Sequence, residues 1–237
     1  MLLPDLISVI MFTREPLQPR TQRAIRHLEA SGGVQYELIL INRNYRWTTG
    51  TAANQGFGAA VGGYIVFCCD DCFVDPEALR HMRDAFQDPL VGIAGALLRY
   101  QDGTVQHAGG HISCEPMLGR DRVSLTVSHI AHHEPMRAFA SQDVPFVTGA
   151  LMMTRRDVID KIGGYDERCE LDWGDVDFCL RAGQAGYHVR FVAEATAVHL
   201  EASTRGGRTG RTDWFFERWG PAMLDGSLDE RMIQCQV

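Results

Sequence analysis

A chain of 237 residues with 45% hydrophobic and 22% charged side chains holds enough apolar material for one substantial core, which predicts a single α/β domain with appendages and excludes wholesale disorder. A formal net charge of -7 excludes an undirected nucleic-acid binder, because neutralising phosphates takes clustered Lys and Arg; a small diphosphate met by a metal ion or local Arg residues remains open. Seven Cys without paired spacing suit a reducing compartment, and no run of about 18 apolar residues offers a membrane span, so the expected location is cytoplasmic with any membrane contact peripheral.

The opening MLLPDLISVIMF carries Pro4 and Asp5 and no basic leader, so it reads as a first strand rather than a signal. Within it, residues 6–12 form the continuous β-branched run of a strand buried on both faces. Residues 19–30 place Ala24, Ile25 and Leu28 on one helical face, with Ser31-Gly32-Gly33 as the stop. A second strand follows at 36–41, a small-residue helix at 51–61 and a third strand at 64–69. This β-α-β-α-β order predicts a mostly parallel sheet flanked by helices, with ligands outside the carboxyl ends of the strands. Residues 76–86 read as a helix with Asp75 at the N-cap and Pro76 in the first turn, and 91–98 as a further strand. From 100 to 144 the pattern weakens into short hairpin-like pieces, which predicts a small antiparallel subsheet. A strand with Gly149 at its centre is expected at 147–154, then helices at 156–162 and from Asp175 to about residue 185, then strands at 188–192 and 196–199. Past Ala202 comes a flexible basic loop carrying Arg205, Arg208 and Arg211, and a short aromatic helix near 214–219 closes the C-terminal tail.

The first three strands end in Thr13-Arg14-Glu15, Asn42-Arg43-Asn44 and Asp70-Asp71, three polar ends on one expected rim. Asp70 and Asp71 repel each other unless a cation lies between them or one is protonated, and Mg2+ or Mn2+ is the natural hard cation; a solvated acidic turn reads equally well from the pair alone. Asp175 falls near a helix N-terminus, where the dipole favours a carboxylate able to act as a general base, or as a plain cap. His199 ends the last strand, where it is either structural or a third metal ligand. His129, His132 and His133 mimic a zinc site but have no fourth ligand or Cys spacing. Cys68, Cys69 and Cys72 read as packing residues.

Together these stretches resemble the inverting family 2 glycosyltransferases of the GT-A fold, the group that includes rhamnosyltransferase-like enzymes of bacterial surface polysaccharides. The resemblance runs over residues 6–203, through ISVIMFTRE, ANQGFGAAVGGYIVFCCDD, VTGALMMTRRDVIDKIGGYDE and GDVDFCLRAGQAGYHVRFV. It implies a Rossmann-like catalytic domain over 1–203, with a nucleotide-binding half to about residue 98 and an acceptor half from 99, followed by a loop and helix over 204–237. It also implies Asp71 and His199 on a divalent metal, Asp70 towards the ribose, Thr13, Glu15 and Asn42 around the nucleoside, and Asp175 as the catalytic base. The implied reaction is a single displacement from a nucleotide-diphosphate sugar to a hydroxyl of a glycan or lipid-linked glycan, with Arg205, Arg208 and Arg211 closing over the diphosphate. Two positions depart from the pattern: Asn42 stands where many members carry an Asp, and Gly174 where a Glu often precedes the base. The Gln-x-x-Arg-Trp pattern and membrane helices of processive synthases are missing, which implies one or a few transfers. A sugar nucleotidyltransferase and a non-catalytic glycan- or nucleotide-binding module are the competing readings.

Overall fold

The computed structural model describes residues 2–42, 48–116, 123–201, 210–229 and 231–235. β1 (Leu3–Thr13) is buried on both faces over residues 7–11, where four apolar side chains flank a buried Ser8: Ile7, Val9 and Met11 enter one core and Ile10 the other. It pairs in parallel with β2 (Tyr36–Asn42) on one side and β3 (Gly62–Cys69) on the other, and all three point their carboxyl ends the same way. α1 (Pro19–Glu29) and α2 (Thr49–Ala59) are the crossovers. α2 starts two residues before the expected position because Thr48 caps it, its side chain accepting from the Thr51 N–H at 3.0 Å.

The remaining chain adds β4 (Cys72–Val74), α3 (Ala78–Asp84), β5 (Val91–Arg99), β6 (Val105–His107), β7 (Gly110–Pro116), β8 (Val123–His129) and β9 (Gln142–Asp143). After these come β10 (Leu151–Arg155), α4 (Arg156–Ile162), α5 (Gly174–Gln184), β11 (His188–His199), α6 (Asp213–Leu224) and β12 (Gln234–Cys235). The main sheet has the order β2-β1-β3-β10-β5-β11-β4, with β6 on β5 and β9 on β11; β7, β8 and β12 form a second, smaller sheet. One core, with Ala24, Leu28, Leu79 and Met82, lies under α1 and α3. The other holds Phe57, Phe178, Ile112 and the α6 residues Trp214, Phe215 and Trp219 between the main sheet and α2, α5, α6 and the small sheet.

Several local expectations are corrected. β10 starts at Leu151 and is antiparallel to both neighbours, β3 and β5, so Gly149 lies in the turn before the strand, where its N–H is committed to Asp175. The two strands expected at 188–192 and 196–199 are one strand, β11, with a register shift between Val192 and Thr196. Asp75 does not cap α3: Glu77 holds that position without a side-chain bond, while Asp75 pairs with Arg99 at 2.6 Å and accepts from the Thr196 hydroxyl. Cys114 is disulfide-bonded, whereas Cys68, Cys69, Cys72, Cys169 and Cys179 are free. No helix among the described residues is long and apolar enough to cross a membrane.

Candidate active site

The site begins where β1 and β3 end side by side. Thr13 is buried at the end of β1, and its hydroxyl lies 3.4 Å from that of Thr21 in α1. Asp70, one residue past β3, accepts from Thr21 Oγ1 at 3.2 Å and faces Arg20 at 3.8 Å. Burial pushes the Asp70 carboxyl above its ordinary range; bonding to Thr13 and Thr21 and the Arg20 charge pull against that, and the Asp71 charge adds to it. A buried carboxylate held up in this way is stabilised by any positive charge that arrives beside it.

Asp71 and His199 are brought together by strand pairing. β4 turns straight back from Asp71 and runs antiparallel to the end of β11, with Cys72 opposite His199, and the Leu200 N–H donates to the Asp71 carbonyl at 3.1 Å. His199 Nε2 then lies 3.2 Å from Asp71 Oδ1. Gln106 decides which nitrogen faces the carboxylate. Its Nε2 donates to the His199 carbonyl at 3.2 Å, which turns its Oε1 to His199 Nδ1 at 2.7 Å, so the proton sits on Nδ1. A lone pair on Nε2 facing a carboxylate is repulsive unless a proton or a metal ion lies between them. Ligand atoms of Asp71, His199 and Cys69 lie within 4.8 Å of one another, so the donor set of carboxylate, imidazole and thiol fits a divalent cation. Cys68 and Cys72 are buried, and Cys69, which ends β3 partly exposed at this cluster, also packs against the core under α1 and α3, as the packing role expected of the three cysteines requires.

Asp175 comes from a different part of the chain. Trp173 turns into α5 in the left-handed region at φ 72°, a conformation that costs a non-glycine residue about 1–2 kcal/mol. Asp175 then lies in the first helical turn, its Oδ1 accepting from the Val176 N–H at 2.9 Å and its Oδ2 from the Gly149 N–H at 2.8 Å. The departure at Gly174 has a steric reason. A Cβ there would come within 2.7 Å of Cys169 Sγ and 2.9 Å of the Tyr165 ring, so a Glu requires those buried side chains to shift. The Tyr165 segment is itself clamped by Asn54 of α2, which accepts from the Tyr165 N–H at 2.9 Å and donates to its carbonyl at 3.0 Å.

Thr13, Asp70, Asp71, Asp175 and His199 all border one cavity of about 440 Å³. Glu15 and Asn42 do not: Glu15 is exposed beside Gln18, and Asn42 is exposed at the end of β2, next to residues outside the described set. Arg205 and Arg208 lie outside the described residues, and Arg211 is exposed and paired with Asp213 at 2.9 Å. Gln106 and Arg20 escaped the sequence reading, and Gly149 and the cavity-lining His129 were read only as a strand centre and as part of a zinc mimic, because each bonds to or faces a group distant in sequence and no spacing marks that role.

Residues 18–163 match the model of the family described as glycosyl transferase family 2. The O-antigen biosynthesis protein RfbC of Myxococcus xanthus is 32% identical over 167 residues, which are 68% of this chain and 12% of that protein. The N-acetylglucosaminyl-diphospho-decaprenol L-rhamnosyltransferase of Mycobacterium tuberculosis is 24% identical over 184 residues, 66% of this chain and 59% of that one. The chain therefore spans less than two thirds of either relative. Among solved structures, the mannosyltransferase PcManGT from Pyrobaculum calidifontis, in complex with GDP-Man and Mn2+, shares the fold at a TM-score of 0.57 and 13% identity over 86% of this chain and 61% of that one.

Proposed function

The chain belongs to glycosyltransferase family 2 and has the GT-A fold, and from that premise we propose that it transfers a sugar from a nucleotide-diphosphate donor to a hydroxyl of a glycan or lipid-linked glycan, with inversion. One observation carries the reading: two adjacent carboxylates, an imidazole and a third carboxylate, drawn from separate stretches of the chain, border a single cavity. The donor class follows the GDP-Man complex of the mannosyltransferase, and the acceptor class follows the diphospho-decaprenol named for the mycobacterial relative.

Asp71 and His199, with Cys69 beside them, hold the divalent cation in this reading, and Mn2+ suits the imidazole better than Mg2+. When bound, that cation supplies positive charge to the departing diphosphate. Asp70, anchored by Thr21 and Arg20, faces the ribose. Asp175 takes the proton of the acceptor hydroxyl as its oxygen attacks the anomeric carbon; the two backbone N–H bonds fix the carboxylate's direction and leave each oxygen further acceptor capacity. The bond from the anomeric carbon to the diphosphate breaks as the new glycosidic bond forms. The protein works at a cytoplasmic membrane face if its acceptor is lipid-linked.

Calorimetry with a panel of nucleotide sugars, with and without Mn2+, followed by assay of nucleoside diphosphate release with glycan acceptors, tests the proposal. Asp175→Asn is expected to lower kcat about 10²–10⁴-fold while donor binding persists, and Asp71→Ala to abolish metal-dependent donor binding. Donor binding without turnover across a broad acceptor panel identifies a binding module instead, and pyrophosphate release from a nucleoside triphosphate identifies a nucleotidyltransferase.

A further inference from the structure

The cavity that holds Asp175 has a wall of histidines that the reaction above does not use. His107, at the end of β6, is fully buried, and burial pushes its pKa well down, with the neighbouring His129 and His132 acting in the same direction. It is therefore neutral and carries one proton. The Thr148 backbone N–H donates to His107 Nε2 at 3.2 Å, and a backbone amide can only donate, so Nε2 is bare and the proton is on Nδ1. His107 Nδ1 faces His129 Nδ1 at 2.7 Å. His129 must accept there, and its own proton is consequently on Nε2. Phe146, 5.8 Å from each imidazole by ring centroids, packs against the pair.

His129 ends β8 and borders the cavity together with Asp175. Among the described residues no group is bonded to its Nε2–H, and the nitrogen is not sealed away from solvent. His132 is committed elsewhere. The Tyr100 hydroxyl has one proton, which it donates to Glu201 at 2.5 Å, so it accepts from His132 Nε2 at 2.7 Å.

We propose that His129 is a positioning residue of the acceptor subsite, a neutral hydrogen-bond donor whose Nε2–H, locked by His107 and Thr148, binds an uncharged oxygen of the acceptor sugar beside Asp175. Taking up a second proton at Nδ1 would set two N–H groups against each other at 2.7 Å. Burial and His132 also hold its pKa below the ordinary value, while the charges of Asp175 and Glu201 act the other way. A neutral donor suits a hydroxyl or ring oxygen, because it brings no charge that would call for an anionic partner. The ligand's identity rests on the glycosyl-transfer reading; the tautomer does not.

Long-range proton–nitrogen NMR on the whole protein, titrated from pH 8 to 6, reads the two rings directly. The expected result is a proton on Nδ1 of His107 and on Nε2 of His129 throughout; a proton on Nδ1 of His129, or an imidazolium at pH 6, overturns the lock whether or not the protein transfers sugar. In kinetics, His129→Leu is expected to raise the acceptor KM about 10-fold and leave the donor KM within a factor of two. His129→Gln, which restores an N–H donor, is expected to recover part of the loss. Equal loss of donor and acceptor binding, or no rescue by Gln in a variant with native circular dichroism, overturns the assignment. If no transfer is found with any donor, perturbation of the His129 Nε2 signal by neutral oligosaccharides still supports the subsite, and its absence refutes it.

Discussion

Asp177 has no exposed surface, yet it carries a carboxylate, and its partners tie the C-terminal helix to the helix that presents Asp175. Oδ2 accepts from Arg181 Nε at 2.9 Å, Oδ1 from Arg218 Nη1 at 2.8 Å and from the Trp219 indole N–H at 2.9 Å. Asp177→Ala removes one acceptor from each of two guanidiniums and the acceptor of a buried indole N–H. Removing one partner of a buried ion pair costs about 3–5 kcal/mol, and the lower end applies here. Arg181 keeps the Ile162 and Gly164 carbonyls, and Arg218, a third of whose side chain is exposed, keeps Asp166 at 2.7 Å. Against a total stability of about 5–15 kcal/mol, a loss near 3 kcal/mol is large, and for a domain of this size it lowers Tm by about 6–12 °C. Asp177→Asn keeps an acceptor for Trp219 and gives up the charge, so about half that loss is expected. Urea unfolding followed by Trp fluorescence measures both variants. A loss under about 1 kcal/mol for Asp177→Ala, with an unchanged m-value, would show that α6 is held by its apolar contacts alone and refute the reasoning.

Gln106→Leu removes the group that fixes the His199 tautomer, and the Mn2+ concentration for half-maximal activity is expected to rise about 10–100-fold; an unchanged metal titration would place His199 outside the metal shell. His107 is depressed in the folded state, so the unfolded chain binds one more proton below its ordinary value near pH 6.5. Stability is therefore present above about pH 6.5 and falls as pH drops below it, by up to about 1.4 kcal/mol per pH unit for this one group. His107→Phe is expected to flatten the pH dependence of the urea midpoint between pH 6.5 and 5.5 by that amount, and a slope equal to that of the parent protein would contradict the assignment.

The three polar strand ends were legible because a parallel strand buried on both faces is a contiguous apolar run, and the residue that follows it must leave the sheet at the ligand-binding rim. Asp70, Asp71 and His199 could be placed on that rim from composition and order alone, and the start of α5 placed Asp175 near a helix N-terminus. Cys69 packs as its apolar neighbours predict, but its place at the last position of β3, which sets its thiol within 4.8 Å of ligand atoms of Asp71 and His199, was not legible from them.

The run from 100 to 144 showed no strong periodicity, and its contributions, Gln106, His107 and His129, are legible only in three dimensions. Each orients a group far away in the chain, and side-chain hydrogen bonds of that kind leave no spacing signal. The C-terminal helix was visible as an aromatic run, but its docking through Arg218 and Trp219 onto Asp177 was not. The sequence by itself determined the order of the elements and the chemical kind of the rim residues, because burial and backbone geometry act over a few neighbouring positions. Only the tertiary structure decided which partners face the ring nitrogens of His107, His129 and His199, which carboxylates share the cavity and why a Cβ at residue 174 is crowded, because those follow from contacts between residues that no local pattern relates.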